Sequence, residues 1–211
     1  MNVDIHVHSI CSDGAAKPEE IIAQAKKIGL DAIAITDHNK IDCALKAAKL
    51  SSDDFKVIPG IEVSAIEGHI LCLNIEEEIP RGLSAEETIE RCHELGGIAI
   101  AAHPFDAIRG GVSDLVFELD FDAIELYNGR CLLTKVNLKD VYKKLKAMNK
   151  IIVAGSDAHT LEELGTFFIR TDSDNIIEDI LSGKFEILGK QNRLRIIKNI
   201  VENKIKRLVE K

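Results

Sequence analysis

The sequence predicts an α/β fold: a barrel of parallel strands over residues 1 to about 188, followed by a closing basic amphipathic helix at about 190–211. Short runs of β-branched and apolar residues alternate about seven times with segments of helical periodicity, the pattern of a β/α barrel. No linker and no shift in composition interrupts residues 1–188. A chain of 211 residues can bury one full core, so we expect a single domain.

Local signals place the elements in order along the chain. A strand at residues 3–7 precedes a helix that Pro18 opens and Gly29 ends, because proline suits a first helical turn and glycine suits a helix end. Ser84 and Glu87 form a capping box that opens a helix reaching Leu95. Further helices are expected near residues 42–50, 112–119, 133–148 and 175–181, and further strands at residues 31–36, 55–63, 69–73, 98–102, 123–126, 151–154, 166–170 and 185–188.

The closing helix is basic, whereas the rest of the chain is acidic. Residues 189–211 carry a local charge of +6, which leaves −14 on residues 1–188 of a chain whose net charge is −8. An apolar stripe at helical spacing is expected to pack on the barrel, with the charges facing solvent: Leu194, Ile197, Val201, Ile205 and Leu208. The overall negative charge makes nucleic acid a possible but not a favoured partner, since binding phosphate backbones needs Lys and Arg.

Several protein classes are excluded by composition. No apolar stretch approaches the roughly 18–20 residues of a membrane span, and Asp4 stands where a secretory signal would be basic and then apolar, so we expect a cytoplasmic protein.

The odd number of cysteines and the absence of a C-x-x-C pair predict buried free thiols in a reducing compartment: Cys11, Cys43, Cys72, Cys92 and Cys131.

Polar side chains concentrate at the predicted strand ends, which form the active-site end of a β/α barrel. Six of the seven histidines lie there, together with three carboxylates: His6, His8, His38, His69, His103 and His159, with Asp13, Glu62 and Asp157. Burying so many polar groups without a cation would cost several kcal/mol. His6 and His8 share one strand face, and imidazole with carboxylate suits zinc, manganese or iron. These residues therefore predict a metal site.

The motifs around these residues resemble those of the PHP (polymerase and histidinol phosphatase) family. The similarity runs from residue 3 to about residue 160 through Asp4-Ile-His6-Val-His8-Ser9, Ser12-Asp13-Gly14, Ile35-Thr36-Asp37-His38, Pro59-Gly60-Ile61-Glu62, Gly68-His69-Ile70, Ala102-His103-Pro104 and Ser156-Asp157-Ala158-His159. It implies a distorted (β/α)7 TIM-like barrel, a single PHP domain over residues 1–211, and three divalent metal ions held at the strand ends.

Carried over motif by motif, the resemblance implies three sets of ligands. The first metal would be held by His6, His8, Glu62 and Asp157, and Glu62 would bridge to a second held by His69 and His103. Asp13, His38 and His159 would hold the third. Asp37 either orients a neighbouring ligand or caps the following helix, and it is also a candidate proton donor.

A centre of three dications and three carboxylates keeps a charge of roughly +3, which favours a phosphate dianion as substrate. We therefore expect a metal-dependent phosphoesterase that hydrolyses a nucleotide, a nucleoside bisphosphate or a sugar phosphate by attack of a metal-bridging hydroxide, with Glu62 and Asp37 as the catalytic candidates. Substrate-binding candidates in the loops are Arg109, Asn128 and Arg130, because arginine can contact a phosphate through two N–H groups. Glu125 either supports a ligand from behind or is solvated.

Three alternatives stay open at this point. An oligonucleotide exonuclease or phosphodiesterase would shorten oligonucleotides in a salt-sensitive way. A histidinol-phosphate phosphatase would be a narrower form of the expected activity. A PHP module that only binds a partner would be recognised by gaps in its ligand set, and this sequence has no such gap. The oligomeric state does not follow from the sequence.

Overall fold

The structure is a computed structural model that describes residues 1–194, 196–199 and 201–202. The strands are β1 (Asn2–Val7), β2 (Ala32–Ile35), β3 (Lys56–Ser64), β4 (His69–Leu73), β5 (Ile98–Ala101), β6 (Ala123–Asn128), β7 (Ile152–Gly155), β8 (Phe167–Thr171) and β9 (Phe185–Gly189). The α-helices are α1 (Pro18–Lys27), α2 (Asp42–Ala48), α3 (Ala85–Glu94), α4 (Leu138–Ala147) and α5 (Ile176–Leu181), and a 3₁₀ helix spans Ser113–Phe117.

The strands form one nearly closed barrel-shaped sheet in the order β7-β6-β5-β4-β3-β2-β1-β8-β9. The end of β1 meets the segment after β7 through a parallel bridge between Val7 and Ala158, where the His8 amide donates to the Ala158 carbonyl at 2.8 Å. The start of β1 pairs instead with β8, with Asn2 opposite Arg170. The gap between β7 and β1 is thus closed at the end where His6 and His8 lie.

The expectation that all strands are parallel is wrong for β8, which runs antiparallel to both β1 and β9. It is also wrong for β4, which runs antiparallel to both β3 and β5. The reason is the length of the connection. Only residues 65–68 separate β3 from β4, whereas a crossover between parallel strands needs about a dozen residues. The hairpin still places His69, at the start of β4, beside the end of β3 that carries Glu62, because Ser64 pairs with His69.

The helix signals are confirmed at most ends. Helix α1 begins at Pro18, and the predicted capping box of α3 is present, with the Glu87 amide donating to Ser84 Oγ at 3.2 Å. Helix α4, however, begins at Leu138 rather than at residue 133, because the side chain of Asn137 caps it by accepting from the Lys139 amide. The segment before Asn137 is therefore a loop at the barrel mouth.

Two layers of apolar side chains stabilise the barrel. One lies between the sheet and the surrounding helices, and it includes Ile33 and Ile35 of β2. The other contains Ala32 and Ala34 of the same strand, because successive strand residues point to opposite faces. Ile176 and Ile180 of α5 join this second layer, beside Met1 and Ile151, which precede β1 and β7. Helix α5 therefore packs where the parallel strands begin, and the polar strand ends face the other way.

The described part of the C-terminal segment is helical, but the predicted apolar stripe does not face the barrel. Leu194 is 82% exposed, and Ile197 and Val201 are about half exposed. The contact is made instead by Ile196, which is buried, and by Asn199, whose amide donates to Thr160 Oγ1 at 3.1 Å. Ile205 and Leu208 lie outside the described residues. Among the described helices, none combines the length and the apolar character needed to cross a membrane.

Two of the five cysteines form a disulfide, so the prediction of free thiols is wrong for Cys11 and Cys43. The bond joins the loop after β1 to the first turn of α2, with the two Cα atoms 6.2 Å apart. Cys72, Cys92 and Cys131 are free. Sequence composition could not reveal this pair, because cysteines 32 residues apart become neighbours only when α2 packs beside the loop.

We expect the variant Cys43→Ser to lower the free energy of unfolding of the unreduced protein by about 3–4 kcal/mol, since an open chain of this loop length gains conformational entropy when unfolded. Denaturant melts with and without a reductant measure this difference, and the reductant should remove it. Cys131→Ser, which alters a thiol outside the disulfide, is the matched control. A thiol titration of unfolded, unreduced protein should give the three free cysteines, and five would contradict the bond.

Candidate metal centre

The carboxylate of Glu62 lies among five histidines at the barrel mouth, and it is 1% exposed. Oε1 is 3.0 Å from His103 Nε2 and 3.2 Å from His69 Nδ1. Oε2 is 3.1 Å from His38 Nδ1, 3.2 Å from His8 Nε2 and 3.5 Å from His6 Nε2. Strands β1, β3 and β4 and the loops after β2 and β5 all contribute to this arrangement.

Two further carboxylates complete the group. Asp157 Oδ1 is 3.4 Å from both His8 Nε2 and His159 Nδ1, and 3.7 Å from His6 Nε2. Asp13 Oδ1 is 2.9 Å from His159 Nε2. The structure thus brings together every sequence-predicted metal ligand. We call this set the polar cluster: His6, His8, Asp13, His38, Glu62, His69, His103, Asp157 and His159.

The polar cluster contains three groups whose candidate ligand atoms lie within 4.8 Å of one another: His6 with His8 and Asp157; His38 with Glu62 and His69; and His8 with Asp13, His38 and His159. These groups overlap the three sets that the resemblance implies. Buried ring nitrogens also lack a hydrogen-bond partner among the described residues, namely Nδ1 of His8 and of His103. Nδ1 of His8 lies 3.7 Å from Asp13 Oδ1. Buried imidazole nitrogens that lack a hydrogen-bond partner, in a group that also contains carboxylates, are the donor set of a cation site, so these residues fit divalent metal ions.

The electrostatics of the polar cluster favour ionised carboxylates. Burial alone would raise the pKa of Glu62, but His6, His38 and His103 outweigh it and hold that pKa well below its usual range. Burial would also raise the pKa of Asp157, but Arg109 and His6 hold it well below its usual range. Burial likewise opposes the charge on His8, yet Asp157 and Glu62 raise its pKa to about 9. The metal-free centre therefore holds protons on His6 and His8, between anionic carboxylates, whereas burial lowers the pKa of His38 and of His159.

Backbone conformation marks two members of the cluster. His103 and Asp157 have φ angles of 31° and 55°, in the left-handed region that residues with a side chain seldom adopt. His103 lies two residues after the end of β5, and Asp157 lies two residues after the end of β7. The amide of His103 is held there by Glu125 Oε2 at 3.0 Å. Unusual backbone of this kind is concentrated at functional sites.

We expect metal binding to release at least one proton per chain at pH 7. The pKa values of His6 and His8 are raised in the metal-free protein, and the two Nε2 atoms lie 3.0 Å apart, so at least one proton must leave before both can coordinate. Affinity should rise with pH until His8 loses its proton near pH 9. Calorimetric titration with Mn²⁺ in Pipes, Hepes and Tris measures the protons released; an enthalpy that does not depend on the buffer would contradict this expectation.

Asp37 is fully buried beneath the loop that carries Asp13. Its carboxylate accepts from the Ser9 amide at 2.8 Å, from Ser9 Oγ at 2.5 Å and from Ser12 Oγ at 2.6 Å. The same loop turns tightly at Gly14, where a Cβ would lie 2.3 Å from the His8 carbonyl oxygen. Asp37 does not line the cavity at the barrel mouth, so its contacts serve the shape of the loop.

A cavity of about 370 Å³ opens onto the polar cluster. Besides seven cluster residues, the side chains that line it are Asp106, Ile108, Arg109, Arg130 and Leu132. Arg109 bonds to Asp157 through Nη1, to Asp106 Oδ2 through Nε at 2.9 Å and through Nη2 at 2.7 Å. Nε of Arg130 is buried and has no hydrogen-bond partner among the described residues. Two of the predicted substrate-binding residues thus reach the cavity.

Asn128, the third predicted substrate-binding residue, lies behind the two arginines. Its Oδ1 accepts from Arg109 Nη2 and from the Arg130 amide, both at 3.0 Å. Sequence reasoning missed Gln191, whose side-chain amide donates to the carbonyls of Gly129 and Cys131. It also missed Asp106, for which the only signal is the spacing of three residues from Arg109. Pairs of opposite charge at that spacing are common on surfaces, so the signal is weak.

Comparison with known proteins places these observations in a family. The model of the PHP domain matches residues 4–200. An uncharacterised protein of Methanocaldococcus jannaschii is 37% identical over 160 residues, which are 69% of this chain and 94% of that protein. The 3',5'-nucleoside bisphosphate phosphatase of Chromobacterium violaceum is 35% identical over 114 residues, which are 48% of this chain and 39% of that enzyme.

A solved structure has the same fold. It is the crystal structure of a two-domain protein from Bacteroides vulgatus containing predicted PHP-like metal-dependent phosphoesterase. The TM-score is 0.72 at 18% identity, and the match covers 90% of this chain and 65% of that one. The barrel expected from the strand pattern is therefore the barrel of known PHP-like proteins.

Proposed function

Because this chain belongs to the PHP domain family of metal-dependent phosphoesterases, we propose that it hydrolyses a small phosphate ester at a centre of three divalent metal ions. The observation that carries the proposal is the position of Glu62, whose two oxygens lie within 3.5 Å of five histidines from four different parts of the barrel. A carboxylate so placed can bridge two cations, Asp157 adds a second anionic ligand to the first of them, and Asp13 supplies the anionic ligand that a third requires.

The polar cluster would hold the metals as the family resemblance implies. His6, His8, Glu62 and Asp157 would bind the first, Glu62 with His69 and His103 the second, and Asp13 with His38 and His159 the third. Zinc, manganese and iron suit this mixture of imidazole and carboxylate. Divalent cations, when bound, would make a water molecule acidic enough to act as nucleophile and would offset the charge of the phosphate.

The cavity supports a phosphate ester of small size. Its volume of about 370 Å³ suits a nucleotide or a sugar phosphate better than a folded polymer. The guanidinium of Arg109 and the unpartnered Nε of Arg130 are the cations that would contact phosphate oxygens, and the apolar Ile108 and Leu132 would face the alcohol. The name of the Chromobacterium violaceum relative supports a nucleotide as the first substrate to try, although this chain spans 39% of that enzyme.

Asp37 supports this site by fixing the loop of Asp13 rather than by transferring a proton. Both carboxylate oxygens accept hydrogen bonds from Ser9 and Ser12, and Asp37 does not line the cavity. Glu62 is the catalytic candidate that would hold metal ions directly, so we assign it the role of bridging ligand.

The proposal is tested by phosphate release from a panel of mononucleotides, nucleoside 3',5'-bisphosphates, sugar phosphates and histidinol phosphate, with Mn²⁺, Zn²⁺ or Fe²⁺ supplied. His103→Ala removes one ligand of the second metal and should lose activity by at least tenfold. His93→Ala is the matched control, because the ring of His93 also lies against a carboxylate, 2.8 Å from Asp122 Oδ2, but outside the polar cluster.

Other outcomes identify the alternatives. Shortening of single-stranded oligonucleotides that weakens with salt would replace the small ester by a nucleic acid. Release from histidinol phosphate alone would narrow the substrate to that compound. Metal-loaded protein that is inert on every substrate would contradict the proposed reaction and leave partner binding as the function of the domain.

A further inference from the structure

Glu125 is a buried carboxylate of β6 that is surrounded by hydrogen-bond donors of the site. Its side chain is 0% exposed. Oε1 lies 2.9 Å from His6 Nδ1, and Oε2 accepts from the His103 amide at 3.0 Å and from Asn128 Nδ2 at 2.9 Å. Gly155 of β7 leaves room for the first contact, since a Cβ there would lie 2.5 Å from Glu125 Oε1. The contacts therefore depend on two neighbouring strands.

The contact of Oε1 decides which nitrogen of His6 can bind a metal. A carboxylate at Nδ1 keeps the proton on Nδ1, so the lone pair of the neutral ring lies on Nε2. Nε2 is the atom that faces the polar cluster, 3.5 Å from Glu62 Oε2 and 3.7 Å from Asp157 Oδ1. With the other tautomer, His6 would present an N–H to the cation.

The contacts of Oε2 decide how the amide of Asn128 is oriented. Because Asn128 Nδ2 donates to Glu125, its Oδ1 points the other way, toward Arg109 Nη2 and the Arg130 amide. If the amide were reversed, its NH₂ group would face those two donors. One carboxylate therefore controls a metal ligand on one side and the placement of two cavity arginines on the other.

We propose that Glu125 is the positioning residue that couples the metal site to the phosphate-binding side of the cavity. It fixes the coordinating nitrogen of His6 and, through Asn128, the guanidinium of Arg109. The second half of this inference rests on the proposed function, because it assumes that Arg109 contacts the substrate phosphate. The first half concerns metal binding alone.

Glu125→Gln is the sharpest test, because every group that faces Glu125 donates a hydrogen bond. Glutamine has the same shape but must turn its NH₂ group toward either His6 Nδ1 or the pair formed by the His103 amide and Asn128 Nδ2. We expect Mn²⁺ affinity, measured by calorimetry, to fall by about 10- to 100-fold, the usual effect of losing a carboxylate behind a ligating histidine. Asp122→Asn is the matched control and should keep wild-type affinity. Asp122, just before β6, also accepts from a histidine ring and a backbone amide, those of His93 and Ala99, but lies outside the polar cluster.

Asn128→Ala separates the two halves of the proposal. It removes the link to the arginines and keeps the contact between Glu125 and His6, so Mn²⁺ affinity should change by less than threefold while KM rises by about tenfold or more. A residue that only supports the fold would lower the melting temperature without this split between metal affinity and KM.

A direct readout needs no variant. Long-range ¹H–¹⁵N spectra of the zinc-loaded wild-type protein should show His6 protonated at Nδ1 and bound to metal through Nε2. Coordination through Nδ1, or wild-type Mn²⁺ affinity in Glu125→Gln, would overturn the inference. Wild-type protein that binds Mn²⁺ but releases no phosphate would instead contradict the proposed function, and the affinity and tautomer measurements would still decide the role of Glu125.

Discussion

Replacing Glu62 with glutamine is expected to lower kcat/KM by about 10²- to 10⁴-fold, since removing one partner of a buried ion pair costs about 3–5 kcal/mol and each 1.36 kcal/mol is tenfold in rate. The carboxylate lies within 3.5 Å of five histidine nitrogens, so the substitution changes the surroundings of five candidate ligands at once. The amide can coordinate through one oxygen only and brings no charge. Metal content should fall together with the rate.

The control for Glu62→Gln is again Asp122→Asn, a carboxylate-to-amide change that lies outside the polar cluster and should retain activity and metal. Circular dichroism distinguishes a lost site from a lost fold. If Glu62→Gln keeps its full metal content and a rate within threefold of the wild type, Glu62 does not bridge metals, and the proposed centre is wrong.

Replacing Arg109 with alanine is expected to weaken substrate binding without weakening metal binding. KM should rise by roughly 10- to 150-fold, because hydrogen bonds to a charged group contribute about 1.5–3 kcal/mol. Mn²⁺ affinity should stay equal or increase, because Arg109 Nη1 bonds to Asp157 in the metal-free protein and competes with a cation for that carboxylate. Steady-state kinetics at saturating metal and calorimetry measure the two effects separately.

Arg109→Lys refines this test. Lysine keeps the charge but cannot present two parallel N–H groups, so its KM should lie between those of the wild type and the alanine variant. Loss of metal affinity in Arg109→Ala would mean that the arginine supports Asp157 instead of competing for it. An unchanged KM would remove Arg109 from the substrate site.

The polar cluster was predictable from the sequence because barrel geometry converts position in a strand into position in space. His6 and His8 end β1, Glu62 lies near the end of β3, and Asp157 follows β7, so an approximate strand assignment was enough to bring them together. The capping box at Ser84 was equally visible, since it depends on residues three apart.

Features that depend on tertiary packing were not predictable in this way. The sequence does not decide whether Glu125 is solvated or buried, because one residue in a strand gives no sign of which donors surround it. The structure shows Glu125 buried against His6 and Asn128. The disulfide of Cys11 and Cys43 requires α2 to pack on the first loop. The antiparallel direction of β4 follows from the short loop between β3 and β4, whereas the alternation of strands and helices along the whole chain indicates parallel strands.

The central claim is that the polar cluster holds metal ions which the chain uses to hydrolyse a phosphate ester. The most direct measurement is elemental analysis of protein purified without chelator or affinity metal, followed by titration of the chelated protein with Mn²⁺, Zn²⁺ or Fe²⁺ while phosphate release is recorded. We expect about three ions per wild-type chain and a rate of phosphate release that rises with the number of bound ions. In Glu62→Gln we expect both the metal content and the rate to be much lower. Protein that binds no metal and stays inert after reloading would contradict the claim.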